Sequence, residues 1–189
     1  MANRQPQAGS QKAGRSTPVA LRHAATRTTA NLHVTSPDFD AGAAIPARHT
    51  DYGEGRSPAL RWKPVDGARS YAVLVEDPDA PTVKPFVHWL AWNIPPGVHA
   101  LPRDIRADAA SPAPADMREG RNDHGGTGWF GPRPPAGDPA HRYHFQVLAL
   151  DAMLDLPDGA TREDLLATID GRVLAKGELV ATSEAPTQQ

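Results

Sequence analysis

Three apolar runs set the frame of this chain, at residues 70–76, 86–94 and 142–151. The first two are nearly continuous instead of alternating, and all three carry β-branched or aromatic members. Asp66-Gly67 precedes the first run and Pro95-Pro96-Gly97 ends the second. Runs of this length between turn signals predict strands covered on both faces. Shorter strands are predicted at 59–62 and 177–181. Order is expected to begin near Asn31-Leu32-His33-Val34, with a turn at Ser36-Pro37-Asp38 and an irregular stretch over 40–58. One helix is predicted after Pro157-Asp158-Gly159. Thr161 is its N-cap, Asp164 completes an acidic capping box, Leu165, Leu166 and Ile169 form one face, and Gly171 suits the C-terminal cap. Residues 102–140 have little apolar content and many prolines and glycines, which predicts a functional loop or a disordered insertion.

Side-chain alternation along a strand decides which groups share a face. In the third run His141, Tyr143, Phe145 and Val147 fall together, with Arg142, His144 and Gln146 opposite. His141 and His144 therefore cannot grip one metal unless the strand bulges. In the second run the same rule groups His88 with Leu90 and Trp92.

Composition adds a β bias and removes several chemistries. The chain has 189 residues, 39% of them hydrophobic, with 20 prolines and 16 glycines, which suits a single loop-rich β domain. There is no cysteine, so disulfides, thiolate catalysis and cysteine-bound zinc are excluded. The formal net charge is -2, unevenly spread. Residues 1–30 hold Arg4, Lys12, Arg15, Arg22 and Arg27 and no acid, which leaves 15 bases against 22 acids for the rest. Five charges over thirty residues make no dense patch, so no nucleic-acid partner is expected. The division read from this is a disordered basic tail over 1–30, one domain over 31–183, and a short tail over 184–189. The N-terminus lacks the apolar segment of a secretory signal, and no run reaches the roughly 18 apolar residues of a membrane span. The expectation is a cytoplasmic protein without integral membrane association. An organellar transit peptide also fits the basic, acid-free tail.

The candidate chemistry lies in two stretches. One is Asp77-Pro78-Asp79-Ala80-Pro81 followed by Phe86-Val87-His88-Trp89; the other is Gly131-Pro132-Arg133-Pro134-Pro135 followed by His141-Arg142-Tyr143. Each joins a stiff proline turn to a histidine at the edge of an apolar strand. Prolines fix φ before a ligand arrives, so little ordering entropy is lost on binding. The X-Pro bonds in these turns are candidates for cis geometry. Asp77 is placed to accept one ring N–H of His88, leaving the other nitrogen for a ligand, with His141 donating from the opposite wall. Gly131 lets a backbone N–H approach an oxyanion closely.

Taken in order and spacing, these stretches resemble the phosphatidylethanolamine-binding protein family, also called the Raf kinase inhibitor protein family, in its bacterial branch. Ser36-Pro37-Asp38-Phe39, Ser57-Pro58-Ala59-Leu60-Arg61-Trp62, Gly120-Arg121-Asn122-Asp123 and Gly128-Trp129-Phe130-Gly131-Pro132 extend the likeness over about residues 32–180. The resemblance implies a mainly β fold, a β-sandwich of two antiparallel sheets with a few peripheral helices. It also implies a pocket for phosphate-like anions or phosphorylated headgroups. Carried over, the pocket residues are Asp77, Pro81, Phe86, His88, His141 and Tyr143, closed by the turn at Gly131 and Pro132. Departures occur at Gly171-Arg172, where relatives commonly read Gly-His, and at Trp129, where they usually carry Tyr.

The function expected is a non-enzymatic module that binds a small anion, a phosphate or a phosphorylated headgroup. No cofactor is expected, and the state is a monomer or homodimer. The alternative is an inhibitor of a kinase or protease acting through the surface of residues 102–140. A hydrolase is a third reading, but none of the seven serines lies in either site motif. Protonation of the histidines near their ordinary pKa of about 6.5 is expected to strengthen anion binding as pH falls.

Overall fold

The computed structural model describes residues 19–105 and 112–187. The three apolar runs form the centre of an antiparallel sheet. They are β2 (Ser70–Asp77), β3 (Phe86–Ile94) and β6 (His141–Leu150), and every residue of β2 is buried. With β5 (Arg118–Glu119) and β7 (Val173–Ser183) at the edges, the order is β5-β3-β2-β6-β7. A second antiparallel sheet pairs β1 (Leu60–Arg61) with β4 (Ala100–Leu101).

Both faces of the larger sheet are covered, as near-continuous apolar runs require. On one face Val73, Val75, Trp89 and Phe145 pack with Leu60, Trp62 and Leu101 from the smaller sheet and its flanks. On the other, Leu74, Leu90, Trp92 and Leu148 pack with Leu165 and Ile169 and with Ala20 and Ala24. These last four belong to or flank α2 (Arg162–Thr168) and α1 (Ala20–His23). Each fully buried leucine of this kind contributes about 1.5–3 kcal/mol. The capping box of α2 forms as expected: Thr161 Oγ1 accepts from Asp164 N, and Asp164 Oδ2 accepts from Thr161 N. Ile169, not Gly171, is the C-cap; Gly171, with φ of +70°, instead turns the chain toward β7.

Three expectations are corrected here. The first concerns the tail. Residues 1–18 lie outside the described residues, but 19–30 is fastened to the sheet. Ala20 N donates to Glu76 Oε2 (2.6 Å) and Leu21 N to Gln146 Oε1 (2.6 Å). Lys176 Nζ donates to the carbonyls of Leu21 and Ala24 (2.6 and 2.7 Å), and Arg27 N and Thr28 N donate to carbonyls of β7. Polar side chains and backbone carbonyls on distant strands hold this segment, so its own weak apolar pattern carries no sign of it.

The second concerns residues 102–140. Residues 106–111 are not described, but the remainder contains β5 and a loop built around Asn122. Asn122 Oδ1 accepts from His124 N and Gly126 N, and Nδ2 donates to Gly128 O. The third concerns proline geometry: no cis peptide occurs among the described residues.

Alternation along β3 also fails, at a defined place. Val75 pairs with Trp89 but Glu76 pairs with Val87, so His88 is an extra residue without a partner on β2. This β-bulge turns His88 to the same side as its neighbour Trp89, away from Leu90 and Trp92. A second irregularity at Asn93, with φ of +56°, restores the pattern for Ile94.

Candidate functional site

Antiparallel pairing brings the end of β2 beside the beginnings of β3 and β6. Asp77 pairs with Phe86, and Glu76 with His144, so Asp77, His88, His141 and Tyr143 converge at one end of the sheet. They line a cavity of about 200 Å³ together with Pro81, Thr82, Phe86, Phe130, Arg133, Pro134 and Pro135.

The Asp77-Pro81 turn is held by its two carboxylates as much as by its prolines. Asp77 Oδ1 accepts from Asp79 N (2.8 Å) and Ala80 N (3.0 Å), a local turn that fixes the backbone. Asp77 Oδ2 accepts from His141 Nδ1 (2.8 Å). Asp79 clamps Arg142 through three bonds, to the backbone N, Nε and Nη2 (2.9, 2.8 and 2.6 Å). The Arg142 guanidinium holds the Asp79 carboxyl below the usual carboxylate range.

His88 does not take Asp77 as its partner, contrary to the sequence expectation. Its Nδ1 donates to Phe130 O (2.8 Å), and its own carbonyl accepts from Phe130 N (2.8 Å). The bulge causes the change, because it aims the ring at the 128–132 turn. His88 is 3% exposed, and burial pushes its imidazole down to about 4. The ring is therefore neutral at pH 7, well below the titration range expected from sequence.

The walls are aromatic. Phe130 stacks on His88, with ring centres 5.6 Å apart and planes within 9°. His124 covers the other face of Phe130 at 4.0 Å. Tyr143 meets His88 edge-on at 5.1 Å. Its hydroxyl is buried and has no hydrogen-bond partner among the described residues. Burial and the nearby Asp77 carboxylate raise the Tyr143 phenol far above its ordinary range.

Of the eight residues singled out from sequence, Asp77, Pro81, Phe86, His88, His141 and Tyr143 line the cavity. Gly131 and Pro132 do not. A Cβ on Gly131 would lie 2.5 Å from Asp51 N and 2.6 Å from Thr50 C, and Pro132 O accepts from Asp51 N (3.0 Å). Their place is behind the wall, where glycine permits close backbone contact. Phe130, Arg133, Pro134 and Pro135 were the unpicked neighbours in the same motif. His144 lies on the opposite face, as its alternation requires, with Nδ1 donating to Glu178 Oε1 (2.6 Å).

A larger cleft of about 620 Å³ is lined by Glu54, Arg56, Asp104 and Trp129, and contains no imidazole. Glu54 and Arg56 pair with each other (2.8 Å). Among the described residues, no group of three or more His, Cys, Asp or Glu side chains is placed to hold a metal ion. No helix among them is long and apolar enough to cross a membrane.

Comparison with known proteins agrees with this architecture. Residues 35–184 match the family described as phosphatidylethanolamine-binding protein. A UPF0098 protein of Pyrococcus abyssi is 44% identical over 141 residues, covering 74% of this chain and 78% of the relative. The crystal structure of Escherichia coli YbcL, described as a member of the mammalian PEBP family, superposes with a TM-score of 0.78 at 33% identity. It covers 83% of this chain and 100% of the other. A putative phosphatidylethanolamine-binding protein homologue from Chlamydia trachomatis gives 0.72 at 34% identity, covering 81% and 97%. By sequence and by fold, this chain belongs to the phosphatidylethanolamine-binding protein family.

Proposed function

We propose that the chain is a non-enzymatic binding module whose cavity takes a small anion: inorganic phosphate or the phosphate of a monoester headgroup. The observation that carries this reading is the Tyr143 hydroxyl, buried without a well-formed hydrogen bond among the described residues, beside two imidazoles and the Asp77 carboxylate. A buried donor left unpaired costs about 1–3 kcal/mol, and a ligand oxygen seated against it recovers that loss. The stiff Asp77-Pro81 turn favours binding because the wall needs no ordering when the ligand arrives. The non-enzymatic part of this reading draws on the side chains at hand. No serine lines the cavity, and the hydroxyl of Thr82 is engaged with Lys84 O (2.5 Å).

The test is a phosphorus NMR titration with phosphate and phosphoethanolamine, run on the wild type and on Tyr143→Phe. The variant keeps the ring and removes only the donor. Binding by the wild type, weakened about tenfold or more in the variant, supports the reading. No binding by the wild type overturns it.

A further inference from the structure

Resting on the reading of this cavity as an anion site, we propose that it takes its anion with a proton attached. A phosphate P–O–H donates to His88 Nε2 while a second ligand oxygen accepts from the Tyr143 hydroxyl. The ligand class is thus a singly protonated phosphate or phosphate monoester, and fully ionised oxyanions are rejected.

The argument begins with the tautomer of His88. Its Nδ1 faces the carbonyl of Phe130 at 2.8 Å. A carbonyl can only accept, so the ring hydrogen must reside on Nδ1. In a neutral ring Nε2 is then a bare lone pair, with no partner among the described residues, on a side chain that lines the cavity. The ring stays neutral because it is sealed among Phe86, Phe130 and Tyr143.

The charged groups around it do not reverse this. Asp77 on β2 and Asp123 on the 121–127 loop favour the charged ring, His141 on β6 opposes it, and burial outweighs them all. Asp77 is committed to three donors. Asp138 lies 3.6 Å from His141 Nε2. Arg133 reaches the cavity wall, but its Nη1 is held by Asp51 at 2.8 Å. Asp79 and Arg142 neutralise each other. The Tyr52 hydroxyl is spent on Pro134 O.

Next to the bare His88 nitrogen the cavity therefore offers the Tyr143 hydroxyl as a donor and Asp77 as a carboxylate, while His141 Nε2 and the N–H groups of Arg133 not held by Asp51 complete its polar lining. A dianion carrying only lone pairs would set oxygen against nitrogen at His88 and stand beside the Asp77 carboxylate. A monoanion with one hydroxyl matches both groups. Sulfate esters have the same shape and no proton to give.

The experiment compares methyl phosphate with methyl sulfate by isothermal titration calorimetry on the full chain at pH 6. The second ionisation of a phosphate monoester lies near this value, about 6. In its singly protonated form methyl phosphate matches methyl sulfate in shape and charge, and differs by one O–H. Expected is a preference for methyl phosphate of about tenfold or more. Above pH 7 its affinity should fall about tenfold per pH unit as the monoanion disappears. In His88→Gln, whose amide can turn a donor into the cavity, the preference should shrink. If methyl sulfate binds within about twofold of methyl phosphate, or if phosphate binding rises with pH, the protonated-ligand inference is overturned while the anion pocket stands. If neither ester binds, the pocket reading falls, and this inference with it.

Discussion

Asp77 and His141 stand 64 residues apart, yet share a buried hydrogen bond of 2.8 Å that ties the end of β2 to the start of β6. The sequence suggests Asp77 as the partner of His88 instead. The observed pairing changes what a substitution at Asp77 means. Both carboxylate oxygens are in use, one by two backbone N–H groups and the other by the imidazole.

Asp77→Asn is therefore expected to be damaging. Its single carbonyl oxygen can serve the turn or His141, and its NH2 then opposes a donor. The expected loss is about 1–3 kcal/mol. Urea unfolding measures the loss, and nitrogen-15 shifts of His141 report whether the ring changes tautomer. An unchanged midpoint and tautomer would show that this bond contributes little.

His88 predicts a pH dependence of stability. Above pH 6.5 the ring is neutral in both folded and unfolded chains. As pH falls from 6.5 toward 4, the unfolded chain takes up a proton that the buried ring refuses, so stability is lost across that window. The loss attributable to this one group is about 3 kcal/mol. Denaturation curves at pH 7.5, 6 and 5, for wild type and His88→Gln, isolate it: the wild-type decline should be the steeper. Parallel declines would remove His88 as the cause.

Gly131→Ala tests the supporting role of the Gly-Pro turn. The new methyl group would meet backbone atoms at 2.5–2.6 Å, which cannot move aside cheaply. A destabilisation of about 1–3 kcal/mol is expected. Thermal unfolding by circular dichroism reads it. A melting point within one degree of wild type would show that the 49–52 segment yields easily.

Lys176→Met should loosen residues 19–30. The ammonium group holds the carbonyls of Leu21 and Ala24, and no other cation is bonded to them among the described residues. Brief trypsin treatment should cut after Arg22 and Arg27 several-fold faster in the variant. Equal cleavage rates would mean that Glu76 and Gln146 suffice to hold the segment.

The strands were legible because β2, β3 and β6 are long apolar runs between turn residues, and α2 because Thr161 and Asp164 form a local box. The face carrying His141 and Tyr143 was read correctly because β6 keeps its alternation through that stretch. His88 was misplaced because a single unpaired residue inverts the count, and no local residue type announces a bulge there. The fastening of residues 19–30 was invisible for a different reason: Glu76, Gln146 and Lys176 read as ordinary strand residues until the fold brings them beneath a helix. The protonation of His88 was misjudged because burial is a property of the assembled walls.

The bulge at His88 has one more consequence, which concerns counting. Deleting one residue between Val87 and Trp89 would let β3 pair with β2 without a break from Phe86 to Ala91 and leave Trp89 and Leu90 where they are. The strand would be more regular and the cavity would have no imidazole at its back. The information for this site is thus stored as a length: one residue more than the sheet needs.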